Sequence, residues 1–327
     1  MLRPVKFGEI RTMRYATTLL CGVLTSVMCG LAFAQSTIPP EAQKHIDAAR
    51  VAAAASPDPQ MADRCVRAPA ASGEERVRDR STGAPPVKLF DNVYYVGLTG
   101  VGTLVIKTNA GLILIDSLYN KGNIENVFIP SFKKLGLDPK DIKYILVTHG
   151  HGDHYGGSQY LRDLYGPHIY MADVDYALPP PKGSSPEWGP KPERDLISAD
   201  GESVTLGDVT VTFVAAPGHT PGTTAMIFPV KDNGVTHMAA VWQSPGLATS
   251  ADKLAKVAAS MHVDVMLGTH FTDGLKKAEA MAKAPSGAKN PFIIGEASYQ
   301  AYLKVISECA QAQDIVNRAA AQKTANP

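Results

Sequence analysis

A largely apolar run over residues 142–148 passes without a spacer into His149-Gly150-His151-Gly152-Asp153-His154. The run reads as a buried strand, so the cluster begins where a core element ends. Three imidazoles and a carboxylate within six residues cannot all be satisfied as polar groups inside a core. They fit either a solvated loop or a metal cradle. In an extended segment alternate residues share a side, so His149 and His151 can reach one ion. Asp153 and His154 then turn toward a second ion beside it. Imidazole and carboxylate ligands suit Zn2+, with coordination positions left open for water.

Two later histidines stand in matching positions. His219 lies in Ala216-Pro217-Gly218-His219-Thr220-Pro221-Gly222, where Gly and Pro allow a tight backbone turn after a strand. His270 follows the apolar run 263–268 in Gly268-Thr269-His270. Either alone would pass for a surface or capping histidine. Asp116 closes the run Leu112-Ile113-Leu114-Ile115 and reads either as a plain turn aspartate or as a support for the cluster. Tyr155 is expected to pack, and His45, His168, His237 and His262 to be bystanders.

Short β-branched runs predict strands at 92–96, 102–108, 111–116, 142–148 and 168–171, then at 203–206, 209–215, 223–229, 235–241 and 263–268. Helices are expected at 41–55, 123–135, 157–164, 250–261, 272–284 and 297–321. Six prolines make 178–194 a loop. Strands and helices thus fall into two successive sets, each ending in helices. That order suits an α/β fold of two packed sheets with helices on both outer faces.

Composition is ordinary for a globular chain of 327 residues, 45% hydrophobic and 19% charged. The first 34 residues carry a basic start ending at Arg14, an apolar stretch and Ala32-Phe33-Ala34, the pattern of a cleavable signal peptide. Met1 and Met13 are both possible starts. An uncleaved anchor is the rival reading, although the apolar core is short of the roughly 20 residues that span a bilayer. Of 32 basic and 31 acidic residues, four and one fall in this segment, leaving 28 and 30, a net charge of −2. Nothing in that balance points to nucleic acid or an anionic membrane as partner. The expected organisation is a signal peptide at 1–34, an N-terminal arm at 35–86 and a main domain at 87–327, located in the periplasm or outside the cell. Cys65 and Cys309 remain after cleavage, either as a disulfide formed in an oxidising compartment or as two buried thiols.

The order of the cluster, His219 and His270 resembles the metallo-β-lactamase superfamily over residues 87–313. That resemblance implies a four-layer αββα sandwich and a small-molecule substrate, with Asp116 supporting the metal ligands from behind. Many glyoxalase-like members carry a bridging aspartate between the positions of His219 and His270, and other lactamases carry a cysteine. Here residues 235–245 hold neither. The set is therefore similar to class B β-lactamases of the third subclass. By that likeness His149, His151 and His219 hold the first of two Zn2+ ions, and Asp153, His154 and His270 the second. Where subclass members carry an Asp-Ser-Leu-Ser-like stretch, this chain has Val241-Trp242-Gln243-Ser244. Gln243 and Ser244 join Trp188 as expected substrate-cleft residues, and the turn 98–101 is expected to help roof the site. A short connection from Gln243 to the following helix implies a truncated cleft wall.

The chemistry implied is hydrolysis by zinc-activated water, since zinc lowers the pKa of bound water to about 7. Asp153 is the expected catalytic residue, orienting the nucleophile and passing its proton on. No Gly-x-Ser-x-Gly elbow competes for the role. Three functions stay open at this point: hydrolysis of a β-lactam amide, hydrolysis of another ester, lactone or thioester, and zinc-loaded binding without turnover.

Overall fold

The structure is a computed structural model, and it describes residues 38–66, 82–179, 187–242, 246–270, 272–285 and 287–325. The expected signal peptide, Gln243 and Ser244 therefore lie outside the described residues. Helix α1 (Pro40–Ala53) comes first. Next are β1 (Val87–Phe90), β2 (Val93–Gly97), β3 (Gly102–Thr108) and β4 (Gly111–Ile115). A helical run follows, with α2 (Lys121–Asn123), a π turn at Ile124–Phe128 and α3 (Ile129–Leu135). Then come β5 (Ile142–Leu146), α4 (Gly152–Tyr155), α5 (Ser158–Tyr165), β6 (His168–Met171), α6 (Asp173–Ala177) and β7 (Leu196–Ile197). The second half holds β8 (Ser203–Leu206), β9 (Val209–Ala215), β10 (Thr224–Asp232) and β11 (Val235–Val241). It ends with α7 (Ala248–Ser260), β12 (Val263–Leu267), α8 (Thr272–Lys283) and α9 (Glu296–Ala325).

Two sheets result, one of seven strands in the order β1 to β7 and one of five in the order β12-β11-β10-β9-β8. Hairpins join the antiparallel strands, and helices carry the crossovers of β4–β5, β5–β6 and β11–β12, which are parallel. The layering follows from the strand period of two. Along β4, Ile113 and Ile115 enter a core shared with Met226 and Phe228 of β10, and with Ala239 and Val241 of β11. Leu112 and Leu114 point the other way, into a core with Phe128, Phe132 and Leu161. On the second sheet Ala225, Ile227 and Ala240 face α7 and α9 through Leu254, Tyr299 and Leu303. Strands buried on both faces need continuous apolar runs, and this chain supplies them. The fold is thus the expected αββα sandwich.

Departures from the expected elements are local. β1 and β7 were not anticipated: β1 has only four residues behind Pro85-Pro86, and β7 only two. β5 stops at Leu146, and β10 runs on to Asp232. The helix expected from residue 123 begins at Lys121.

Helix α1 lies on α9, burying Ala42, Ile46, Ala49 and Ala53 with Val305 and Ala312. A disulfide joins Cys65 to Cys309 across 244 positions of chain, fixing the choice between bridge and thiols. Replacing both cysteines with serine is expected to lower stability by about 2–4 kcal/mol, because the bridge limits the unfolded chain. A urea titration checks this, and an unmoved midpoint would mean that helix packing alone holds the arm. No helix among the described residues is long and apolar enough to cross a membrane.

Candidate metal centre

β5 delivers the cluster to one edge of the sandwich. After Leu146 the chain leaves the sheet, and His151 precedes the single turn of α4, which carries Asp153 and His154. His219 comes from the loop between β9 and β10, and His270 from the segment after β12. Two groups form: His149, His151 and His219, and Asp153, His154 and His270, each with its ligand atoms within 4.8 Å of one another. The rings of His149 and His154 lie 4.0 Å apart, so the groups are neighbours.

The orientation of the rings tests whether a metal fits. His149 turns Nδ1 to Thr148 Oγ1 at 3.1 Å and Nε2 toward His151 Nδ1 at 3.2 Å. His154 Nδ1 donates to Asp116 Oδ2 at 2.7 Å, and its Nε2 faces His270 Nε2 at 3.2 Å. His270 Nδ1 donates to the Gly100 carbonyl at 3.3 Å. In each case one nitrogen is held by a protein oxygen and the other points into the centre, the arrangement that fixes a metal-ligating imidazole. Asp153 Oδ2 completes the second group, 3.5 Å from His154 Nε2 and 3.8 Å from His270 Nε2.

Electrostatics agree with that fit. Burial, followed by the neighbouring imidazoles, pushes His149 well below its ordinary pKa, and burial with His151 takes His219 down to about 4. Burial likewise lowers His151. Neutral imidazole is the ligating form. His154 goes the other way: burial opposes its charge, but Asp153 and Asp116 outweigh it and push the pKa up to about 10. Asp153, although buried, is held well below the usual carboxylate range by His154 and His270. Two carboxylates that keep a proton on a buried imidazole make a field equally suited to a metal cation.

Asp116 is the hub behind the second group. It has no exposed surface and sits at φ 62°, left-handed backbone rarely adopted by residues other than glycine. Its carboxylate accepts from Thr148 N at 2.8 Å, Thr148 Oγ1 at 3.0 Å, His154 Nδ1 and Thr269 Oγ1 at 2.6 Å. Thr148 and Thr269, each adjacent to a cluster histidine, carry no special signal in the sequence beyond that adjacency.

Trp188 lies over the loop, its ring 6.4 Å from that of His151, and a side chain on Gly152 would collide with it. The backbone beside it is strapped down, since Gly189 N donates to Tyr119 O at 2.7 Å and Asn120 Nδ2 to Glu187 O at 2.8 Å. The turn at 98–101 lies beside Trp188. Leu98 and Val101 are buried with Tyr119, packed against Trp188, and the Gly100 carbonyl reaches His270 Nδ1. Tyr155 is buried in the helix–sheet core. His45, His168, His237 and His262 lie outside both groups, against Glu308, Asp195, Asp264 and Glu296.

The sequence profile of the metallo-beta-lactamase superfamily matches residues 96–233. Among solved structures, the subclass B3 metallo-beta-lactamase BJP-1 of Bradyrhizobium japonicum superposes with a TM-score of 0.60 and 30% identity, covering 76% of this chain and 98% of that one. FEZ-1, a metallo-beta-lactamase from Legionella gormanii, gives a TM-score of 0.59 and 27% identity over 74% of this chain and 98% of its own. A hydroxyacylglutathione hydrolase of Cereibacter sphaeroides is 36% identical over 92 residues, which is 28% of this chain and 30% of that protein. The chain thus spans less than half the length of the curated relatives it matches by sequence. It belongs to the metallo-β-lactamase superfamily.

Proposed function

We propose that the protein is a secreted dizinc hydrolase that opens the amide bond of β-lactams. The observation that carries this reading is the pair of adjacent ligand groups, five imidazoles and one carboxylate, with no acid or cysteine in β11 to bridge them. The likeness to BJP-1 along nearly the whole of that enzyme supports the substrate class. His149, His151 and His219 hold one ion, and Asp153, His154 and His270 the other. Bound zinc would acidify water, polarise the lactam carbonyl and stabilise developing negative charge. Asp153 turns Oδ2 to the ligand group with His154 and His270, which leaves Oδ1 to orient the attacking water and carry its proton. Oxygen adds to the carbonyl carbon, the C–N bond breaks, and Asp153 returns the proton to the leaving nitrogen. Asp116 and Thr148 keep the imidazoles aimed, and Trp188 shields one side of the cleft. Residues 87–327 form the catalytic domain, residues 35–86 the arm, and residues 1–34 the export signal. The Cys65–Cys309 bridge supports an oxidising compartment, periplasmic or extracellular.

A second reading, thioester or lactone hydrolysis by the same residues, is favoured by the likeness to hydroxyacylglutathione hydrolase over 92 residues. Turnover of nitrocefin, an acyl-homoserine lactone and a glutathione thioester, with added Zn2+ and with EDTA, separates the two. Nitrocefin is expected to open with zinc and to fall to background with EDTA. Turnover of only the lactone or thioester would move the reading to the second class. No turnover with two zincs bound would make the protein a binding module.

A further inference from the structure

The two loops that carry His149, His151 and His219 come from different sheets, one after β5 and the other after β9. A single carboxylate joins them. Asp175, in the five-residue helix α6, is 1% exposed. Its Oδ2 accepts from Gly150 N at 2.7 Å and from Thr220 Oγ1 at 2.7 Å, and its Oδ1 accepts from Gly222 N at 3.0 Å. Gly150 stands between His149 and His151, and Thr220 follows His219 directly. Both glycines are required at this distance. A Cβ on Gly150 would stand 2.9 Å from the Asp175 Cγ, and one on Gly222 only 2.5 Å from it. Lys191 secures α6 from below, its Nζ donating to the Asp175 carbonyl at 2.5 Å and also to that of Leu178.

An ionised carboxylate with three donors aimed at it is a strong, directional anchor. This one holds the backbone amides of Gly150 and Gly222 and the hydroxyl of Thr220, the neighbours of three imidazoles in the chain. Asp116 does the corresponding work for the other group through His154 and Thr269. We infer that Asp175 is a positioning residue for the His149–His151–His219 site, setting its metal affinity separately from that of the neighbouring site. The inference rests on the two-metal reading above.

Asp175→Asn keeps the shape but replaces one acceptor oxygen with a donor, which then faces a donor of the loops. The measurement is Zn2+ affinity by chelator competition in two backgrounds, with Co2+ absorption spectra alongside. His270→Ala leaves only the first group complete, and His219→Ala only the second. Asp175→Asn is expected to weaken binding by about 10–100-fold in the His270→Ala background, as loss of a ligand's hydrogen-bond support generally does. It should leave affinity and spectrum unchanged in the His219→Ala background. Equal weakening in both would make Asp175 a purely structural residue and overturn the inference, and so would unchanged affinity in both. If the parent chain takes up no metal at all, the two-metal reading itself fails, which is a separate outcome. Should Asp175→Asn not fold, Thr220→Val removes one of the three hydrogen bonds. It is expected to weaken the first site alone, with Thr220→Ser restoring parental affinity. Parental affinity in Thr220→Val would also overturn the inference.

Discussion

Asp116→Ala is expected to cost the metal-free protein about 3–5 kcal/mol, the range found when one partner of a buried charged pair is removed. The deletion strands Thr148 N, Thr148 Oγ1, His154 Nδ1 and Thr269 Oγ1, all of which donate to this carboxylate. A buried donor without an acceptor loses roughly 1–3 kcal/mol. Water entering the new space recovers part of that, whereas the left-handed backbone at residue 116 suits alanine no better than aspartate. The same change frees the His154 ring to rotate, so affinity at the Asp153–His154–His270 group should fall by about 10–100-fold. Asp116→Asn is the milder variant, because it retains one oxygen for the threonines while opposing the His154 Nδ1–H with an amide. Urea titration of the metal-free forms gives the first effect and chelator competition the second. A parental midpoint in Asp116→Ala would show that these hydrogen bonds are replaced by water without loss.

The metal-ligand candidates were legible because their chemistry is concentrated. Four of six occur in one hexapeptide, and its position after an apolar strand excluded a core role. The layers were legible because Leu112-Ile113-Leu114-Ile115 has no polar face, which requires cover on both sides of the sheet. What escaped the sequence is set by tertiary contact. Asp173 and Asp175 sit two residues apart in the same short helix with no local difference between them. Yet Asp173 pairs with Arg194 at the surface, while Asp175 is buried between two glycine-bearing loops. The approach of Gly150, Thr220 and Gly222 distinguishes them, and those residues lie 25, 45 and 47 positions away. Helices as short as α4 and α6 likewise have no stability of their own to leave a periodic signature. The bystander histidines each lie against a single carboxylate away from both ligand groups.

Removing metal with EDTA is expected to lower the melting temperature by roughly 10–20 °C, and added Zn2+ should restore it. A ligand that binds only the folded state, present at 100 times its dissociation constant, stabilises by about 2.7 kcal/mol per site. Two sites give about 5 kcal/mol, and each kcal/mol is worth about 2–4 °C in a domain of this size. Binding is restricted to the folded state here because the ligands come together only through the fold. His219 and His270 approach the hexapeptide from the ends of two different strands, and the unfolded chain separates them by dozens of residues. The lowered pKa values of His149 and His219 keep these imidazoles unprotonated, so metal binding there displaces no proton near neutral pH. EDTA leaves the Cys65–Cys309 bridge intact, so the loss is attributable to the metal sites alone. His270→Ala and His219→Ala should each forfeit about half of the zinc-dependent increment. A melting temperature unmoved by EDTA, in a preparation shown beforehand to hold two zincs, would mean that the ligand groups persist in the unfolded chain or that metal binds elsewhere.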